Sequence, residues 1–89
     1  DESVCRLPIT DADEEAMKGK IADLKNLQQD HSYGGACRAA AFLRNFVGKS
    51  KWAHLDIAGP AFTKNPKAYE VNMGTGFGIR LMVDFFDKL

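Results

Sequence analysis

The chain has 89 residues, sets 12 Lys and Arg against 12 Asp and Glu, and is 45% hydrophobic and 27% charged. That length holds one domain at most, or part of one, and the apolar share argues against a disordered chain. No uninterrupted apolar run approaches the ~18–20 residues of a membrane-spanning helix, and zero net charge leaves no electrostatic footprint for nucleic acid or anionic lipid.

Residues 3–9 (Ser-Val-Cys-Arg-Leu-Pro-Ile) read as extended, with Pro8 keeping them out of a central strand. Thr10 or Asp11 can cap a helix, and the Asp11 to Glu14 spacing imitates a capping box. Ala12, Ala16, Met17, Lys20, Ile21 and Leu24 follow a helical stripe that Gly19 interrupts, which predicts a helix over 11–20. Residues 1–31 hold eight acidic and four basic groups, a net −4, and the remaining 58 hold a net +4. Much of the acidic excess falls in residues 11–15, where carboxylates favour the positive end of a helix dipole. That is helix-start chemistry, not an acidic patch for a substrate. Residues 21–27 are ambiguous between further helix and a short strand, and periodicity slightly favours helix.

Residues 28–33 form a polar loop, and Gly34-Gly35 opens the next element. Ala36, Ala39, Ala40, Leu43, Phe46 and Val47 make a helical stripe whose alanines allow close approach to a neighbour. Gly48 stops this helix at the usual C′ position, and Arg44 favours its last turn. Residues 52–58 (Trp-Ala-His-Leu-Asp-Ile-Ala) are a mostly apolar run between Gly48 and Gly59-Pro60, suited to a strand buried on both faces. A long loop over 61–73, with Pro66, leads to a final helix starting at Thr75 or Gly76 and ending near Asp87. Its Phe77, Ile79, Leu81, Met82, Val83, Phe85 and Phe86 cover nearly the whole circumference, so it must be covered all round. A chain of this length buries only ~60–65% of its extended surface. The expectation is therefore one edge of a larger α/β domain. No internal repeat, low-complexity tract or linker interrupts it.

Four groups of residues tempt a chemical reading. Cys5 and Cys37 are too few and too far apart for a disulfide scaffold or zinc knuckle; they could form a single bridge, but buried free thiols fit a chain this apolar better. His54 and Asp56, two apart in the predicted strand, share a face. They have no third partner at a recognisable spacing, and His31 sits in a loop without fixed relation to them, so closing local hydrogen bonds is their expected role. Gly74-Thr-Gly-Phe-Gly78 before a helix suggests a phosphate cradle, but the spacing is GxGxG and no Lys-Ser/Thr follows; tight turning explains it better. Thr10-Asp-Ala-Asp-Glu14 lacks the glycine of a calcium loop, since Ala16 stands there, and capping explains it. No nucleophile triad, Cys–His arrangement or HExxH is present.

Three stretches together resemble one family: Ala22-Asp-Leu-Lys-Asn26, Gly34-Gly-Ala-Cys-Arg-Ala-Ala-Ala-Phe-Leu-Arg-Asn-Phe-Val47, and Trp52-Ala-His-Leu-Asp-Ile-Ala-Gly59. In this order, followed by Gly-Thr-Gly-Phe-Gly at 74–78, they resemble the C-terminal end of leucyl aminopeptidases, the two-metal cytosol aminopeptidase family. The likeness runs from about Arg6-Leu7-Pro8 to Phe86, and the Trp-Ala-His-Leu-Asp-Ile-Ala-Gly run is its most specific part.

The resemblance implies an α/β fold: a fragment of an α/β/α sandwich with a mixed sheet, of which residues 1–89 supply the last strands and helices. It turns residues 21–27 into a strand and packs the final helix inside the parent domain. It also implies a cytoplasmic exopeptidase, a hexamer, that removes N-terminal residues from peptides. Two divalent ions, Zn²⁺ or Mn²⁺, polarise the scissile carbonyl and generate a hydroxide nucleophile. Family ligands are a lysine and several carboxylates ending in Asn-Thr-Asp-Ala-Glu-Gly-Arg, all upstream of the region matched; residues 10–14 lack Gly-Arg and stand too close to Trp52 to replace them. The catalytic lysine and arginine are missing as well, so this chain supplies no catalytic and no metal-binding residue. Carried over are Ala58 and Ala61, which match walls of the pocket for the substrate's first side chain, with Gly59 between them allowing close approach. The partners implied are the remainder of the catalytic domain and a peptide, with neither nucleic acid nor membrane. Two further readings are a non-catalytic packing or oligomerisation module that keeps the family core, and, more remotely, a redox protein using Cys5 and Cys37.

Overall fold

A computed structural model describes residues 2–27, 34–65 and 73–89. Three helices occur among them: α1 (Asp11–Ala16), α2 (Gly35–Arg44) and α3 (Ile79–Asp87). The chain divides into two compact units, one formed by Arg6–His54 and the other by Asp1–Cys5 with Leu55–Leu89.

In the Arg6–His54 unit, α1 starts at a complete capping box. The Asp13 N–H donates to Thr10 Oγ1 at 3.3 Å, and the Thr10 N–H donates to Asp13 Oδ2 at 2.9 Å. The box is one residue earlier than the Asp11–Glu14 spacing suggests, because Thr10 is the cap and Asp13 its third-position partner. α1 ends at Ala16, not at residue 20. Beyond it the backbone reverses: the Gly19 N–H donates to the Asp23 carbonyl at 3.2 Å, and the Lys25 N–H to the Met17 carbonyl at 2.8 Å. A single antiparallel bridge joins Lys18 and Leu24. A Cβ at Gly19 would collide with the Ala22 carbonyl oxygen, so this glycine makes the reversal possible. Residues 21–27 are accordingly neither further helix nor a strand but bends around the Leu24 bridge.

α2 opens after Gly34, whose φ of 74° suits glycine. Past Arg44 the bonding tightens to i→i−3, with the Phe46 N–H on the Leu43 carbonyl at 3.0 Å and the Val47 N–H on Arg44 at 3.4 Å. The Asn45 side chain donates to the carbonyls of Ala41 at 2.9 Å and Phe42 at 3.3 Å, satisfying groups that a helix end leaves open. Gly48, at φ 58°, lies three residues past the Asn45 cap, so it turns the chain after the helix and does not occupy the predicted C′ position. α1 packs on α2, and among the described residues those buried are Met17, Ala40 and Ala41. Leu43 and Phe46, expected on the buried stripe, are exposed.

The predicted strand over 52–58 is absent. Those residues make no ladder with any described segment, and Leu55 and Ile57 are each 42% exposed. A strand exists only through a partner's hydrogen bonds, and none is within reach among the described residues. In the unit containing Leu55–Leu89, residues 61–63 and 73–75 approach each other instead, with an antiparallel bridge between Phe62 and Gly74. Met73 stands in the left-handed region at φ 65°. α3 begins three or four residues later than predicted because Gly76 (φ 66°) and Gly78 (φ 95°) lie outside the helical region. Its Ile79, Val83, Phe85 and Phe86 are all more than half exposed, so the described residues do not provide the all-round cover its sequence demands. No described helix is long and apolar enough to cross a membrane. His31 and Pro66 lie outside the described residues.

Candidate substrate-pocket wall

Residues 57–61 form a single turn closed by the Ala61 N–H donating to the Ile57 carbonyl at 2.9 Å. Asp56 stabilises its entry, because Oδ1 accepts from the Ala58 N–H at 3.1 Å. The turn brings Ala58, Gly59 and Ala61 together; Ala58 and Gly59 are exposed and Ala61 is half-buried. A Cβ at Gly59 would meet no atom within 4 Å, and its φ is not positive. Nothing among the described residues demands glycine there, so the bare backbone faces open space.

The exit of the turn is held by Thr75. Its backbone N–H donates to the Ala61 carbonyl at 2.9 Å, and its hydroxyl donates to the Pro60 carbonyl at 2.5 Å. The same hydroxyl oxygen accepts from the Phe77 N–H at 3.2 Å. Gly78 and Leu81 follow at the start of α3, where helix N–H groups lack intrahelical partners. Both donate to the Glu2 carboxylate: Gly78 to Oε1 at 3.1 Å and Leu81 to Oε2 at 2.7 Å. The Arg80 guanidinium lies 3.7 Å from Oε1, and the Glu2 side chain is only 6% exposed. The glycine-rich segment therefore presents its helix end to a carboxylate of this same chain, where the sequence pattern suggested a phosphate.

His54 and Asp56 serve separate local roles. The His54 ring lies 6.3 Å from that of Trp52, whereas Asp56 caps the turn described above. Among the described residues, no three His, Cys, Asp or Glu side chains are grouped to hold a metal ion. Cys5 is exposed and Cys37 half-buried, so the expected burial of Cys5 fails. The N-terminal segment carrying Cys5 offers it too little covering surface. An open hollow of about 680 Å³ lies elsewhere, lined by Glu14, Lys18, Lys20, Ile21, Leu24 and Asn45 among others. Two of its charged residues are paired, Glu14 with Arg44 at 3.3 Å and Lys18 with Glu15 at 2.9 Å. The bond to Glu15 holds the Lys18 amine above its usual range, and hydrogen bonds from the Thr10 backbone and hydroxyl hold the Asp13 carboxyl below its own.

Glu2 and Thr75 were not legible as site residues. Glu2 has no local partner to announce it, and Thr75 stands out in the sequence only as a possible helix start.

Comparison with known proteins decides the family. A model described as the cytosol aminopeptidase family, catalytic domain, matches residues 1–83. The chain belongs to this family. Membership places it in the α/β class, although the described residues show three helices and only isolated bridges. A probable cytosol aminopeptidase of Protochlamydia amoebophila is 45% identical over 89 residues, covering 99% of this chain and 17% of that protein. One from Geobacter sulfurreducens is 45% identical over 84 residues, covering 94% and 16%. A probable cytosol aminopeptidase 1 of Shewanella oneidensis is 47% identical over 81 residues, covering 91% and 16%. The chain thus spans about one-sixth of the length of these relatives. No solved structure matches it.

Proposed function

We propose that this chain is the C-terminal part of the catalytic domain of a leucyl-aminopeptidase-like exopeptidase, which removes N-terminal residues from peptides with two divalent metal ions, Zn²⁺ or Mn²⁺. The match to the family's catalytic domain over residues 1–83 carries this reading. In it the chain lends the last strands and helices to an α/β/α sandwich with a mixed sheet. Residues 21–27 and 52–58 become strands once the rest of the domain supplies partners. The exposed apolar surface of α3 and of Leu55 and Ile57 supports this, since such surface needs cover. The parent is a cytoplasmic hexamer, and Ala58, Gly59 and Ala61 line its pocket for the substrate's first side chain.

The 89 residues alone contain no match to the family's ligand motif, so the chain by itself binds no metal and hydrolyses nothing. The test compares the isolated chain with the full-length protein, using leucyl amide and added Mn²⁺ or Zn²⁺. Leucine release by the full-length protein alone is the expected result. Stoichiometric metal binding and leucine release by the isolated chain would overturn the assignment of roles.

A second reading, a non-catalytic packing or oligomerisation module, draws on the same exposed face of α3, formed by Ile79, Val83 and Phe86. Concentration-dependent self-association of the isolated chain in sedimentation supports it. A well-folded monomer, together with an active full-length protein, counts against it.

A further inference from the structure

We infer that Thr75 is a positioning residue for the wall formed by Ala58, Gly59 and Ala61, and that Glu2 anchors Thr75 in turn; this rests on reading residues 57–61 as a pocket wall. Thr75 commits two polar groups and three hydrogen bonds to one bracket. Its N–H and its hydroxyl donate to the consecutive carbonyls of Ala61 and Pro60, and its hydroxyl oxygen accepts from Phe77. Two bonds from one residue onto adjacent carbonyls fix both the distance and the twist of the turn. The Phe77 bond sets the direction in which the hydroxyl points. Phe77 precedes Gly78, whose amide is bound to the Glu2 carboxylate together with that of Leu81. The linkage therefore runs by hydrogen bonds from Glu2 to Gly78, through the peptide bond to Phe77, and by hydrogen bonds again through Thr75 to the wall.

Ala58 and Ala61 have short, rigid side chains, so the position of their backbone alone decides how much room a substrate side chain finds. A methylene in an apolar pocket is worth roughly tenfold or more in selectivity, and small displacements of a wall change that contact. Thr75 touches no reacting atom in this scheme; it acts through the turn.

The experiment uses the full-length protein that carries this segment and compares leucyl with alanyl amide. Thr75→Val keeps the shape and removes the hydroxyl. It lowers the leucyl-to-alanyl ratio of kcat/KM about 5- to 10-fold, a size typical of a lost hydrogen bond, and the change falls on KM more than on kcat. Thr75→Ser restores the ratio to within about twofold, because it returns the hydroxyl. A role confined to stability would lower the active fraction and leave the ratio untouched. If Thr75→Val does not fold, Glu2→Gln replaces it and shifts the same ratio about twofold, since the amide oxygen still accepts one bond. An unchanged ratio in a folded variant overturns the role of Thr75 and leaves the peptidase reading standing. Absence of leucine release by the unaltered protein overturns the peptidase reading instead. Hydrogen exchange at the Ala61 amide then decides the bracket: about tenfold faster exchange in Thr75→Val supports it, and unchanged exchange refutes it.

Discussion

α1 begins with a cap three residues away in sequence, Thr10 with Asp13, whereas α3 receives its cap from Glu2, 76 and 79 positions from the amides it binds. Both arrangements answer the same physical demand, since the first N–H groups of any helix lack partners. The short-range answer uses exposed groups and forms as soon as the residues are joined. The long-range one buries a carboxylate to 6% exposure and requires distant parts of the chain to meet. A helix start can thus be secured either by its own sequence or by the tertiary structure, and only the first leaves a motif to read.

Substitutions separate the two cases. The largest effect belongs to Gly19→Ala, which drives a methyl into the Ala22 carbonyl and opens the reversal after α1. A loss of about 3 kcal/mol in urea unfolding is expected, with α3 amide exchange unchanged. Glu2→Ala comes next, at about 2 kcal/mol, because it removes a charged acceptor from two amides. Exchange at Gly78 and Leu81 rises with it while Asp13 is unaffected, and equal protection throughout would erase the distinction between the two helix starts. Thr10→Ala costs about 1 kcal/mol, the usual worth of a helix cap, and it speeds exchange at Asp13 but not at Gly78. The smallest effect is that of pH. The Asp13 carboxyl is held below its ordinary value, so its contribution is present above that ordinary value. That contribution is lost as pH falls through the lowered one, and the Thr10 amide signal should follow this loss in an NMR titration.

The helices were legible because their signals are local: a threonine with an aspartate three residues on, and alanines at helical spacing. Their lengths were less so. Residues 17–20 have helical periodicity, but the reversal from Met17 to Lys25 satisfies the backbone differently, and Gly76 and Gly78 delay α3 by their positive φ. Residues 52–58 show the opposite error. Their apolar run is a strand signal, yet a strand is a relation between two segments, and Leu55 and Ile57 stay exposed without one. Ala58, Gly59 and Ala61 came from the family likeness and not from chemistry, because an alanine has no group that announces a role. The turn that gathers them depends on Thr75, and Thr75 on Glu2, neither of which is marked by spacing.

The way the units divide the chain also sets an order of events during synthesis. The Arg6–His54 unit has its own residues in hand once His54 has left the ribosome, but Glu2 cannot find Leu81 until 79 further residues have been added. At ~5–20 residues per second that is a wait of roughly 4–16 s. Through that interval the Glu2 carboxylate stays hydrated, and residues 6–54 are all synthesised before its helix exists.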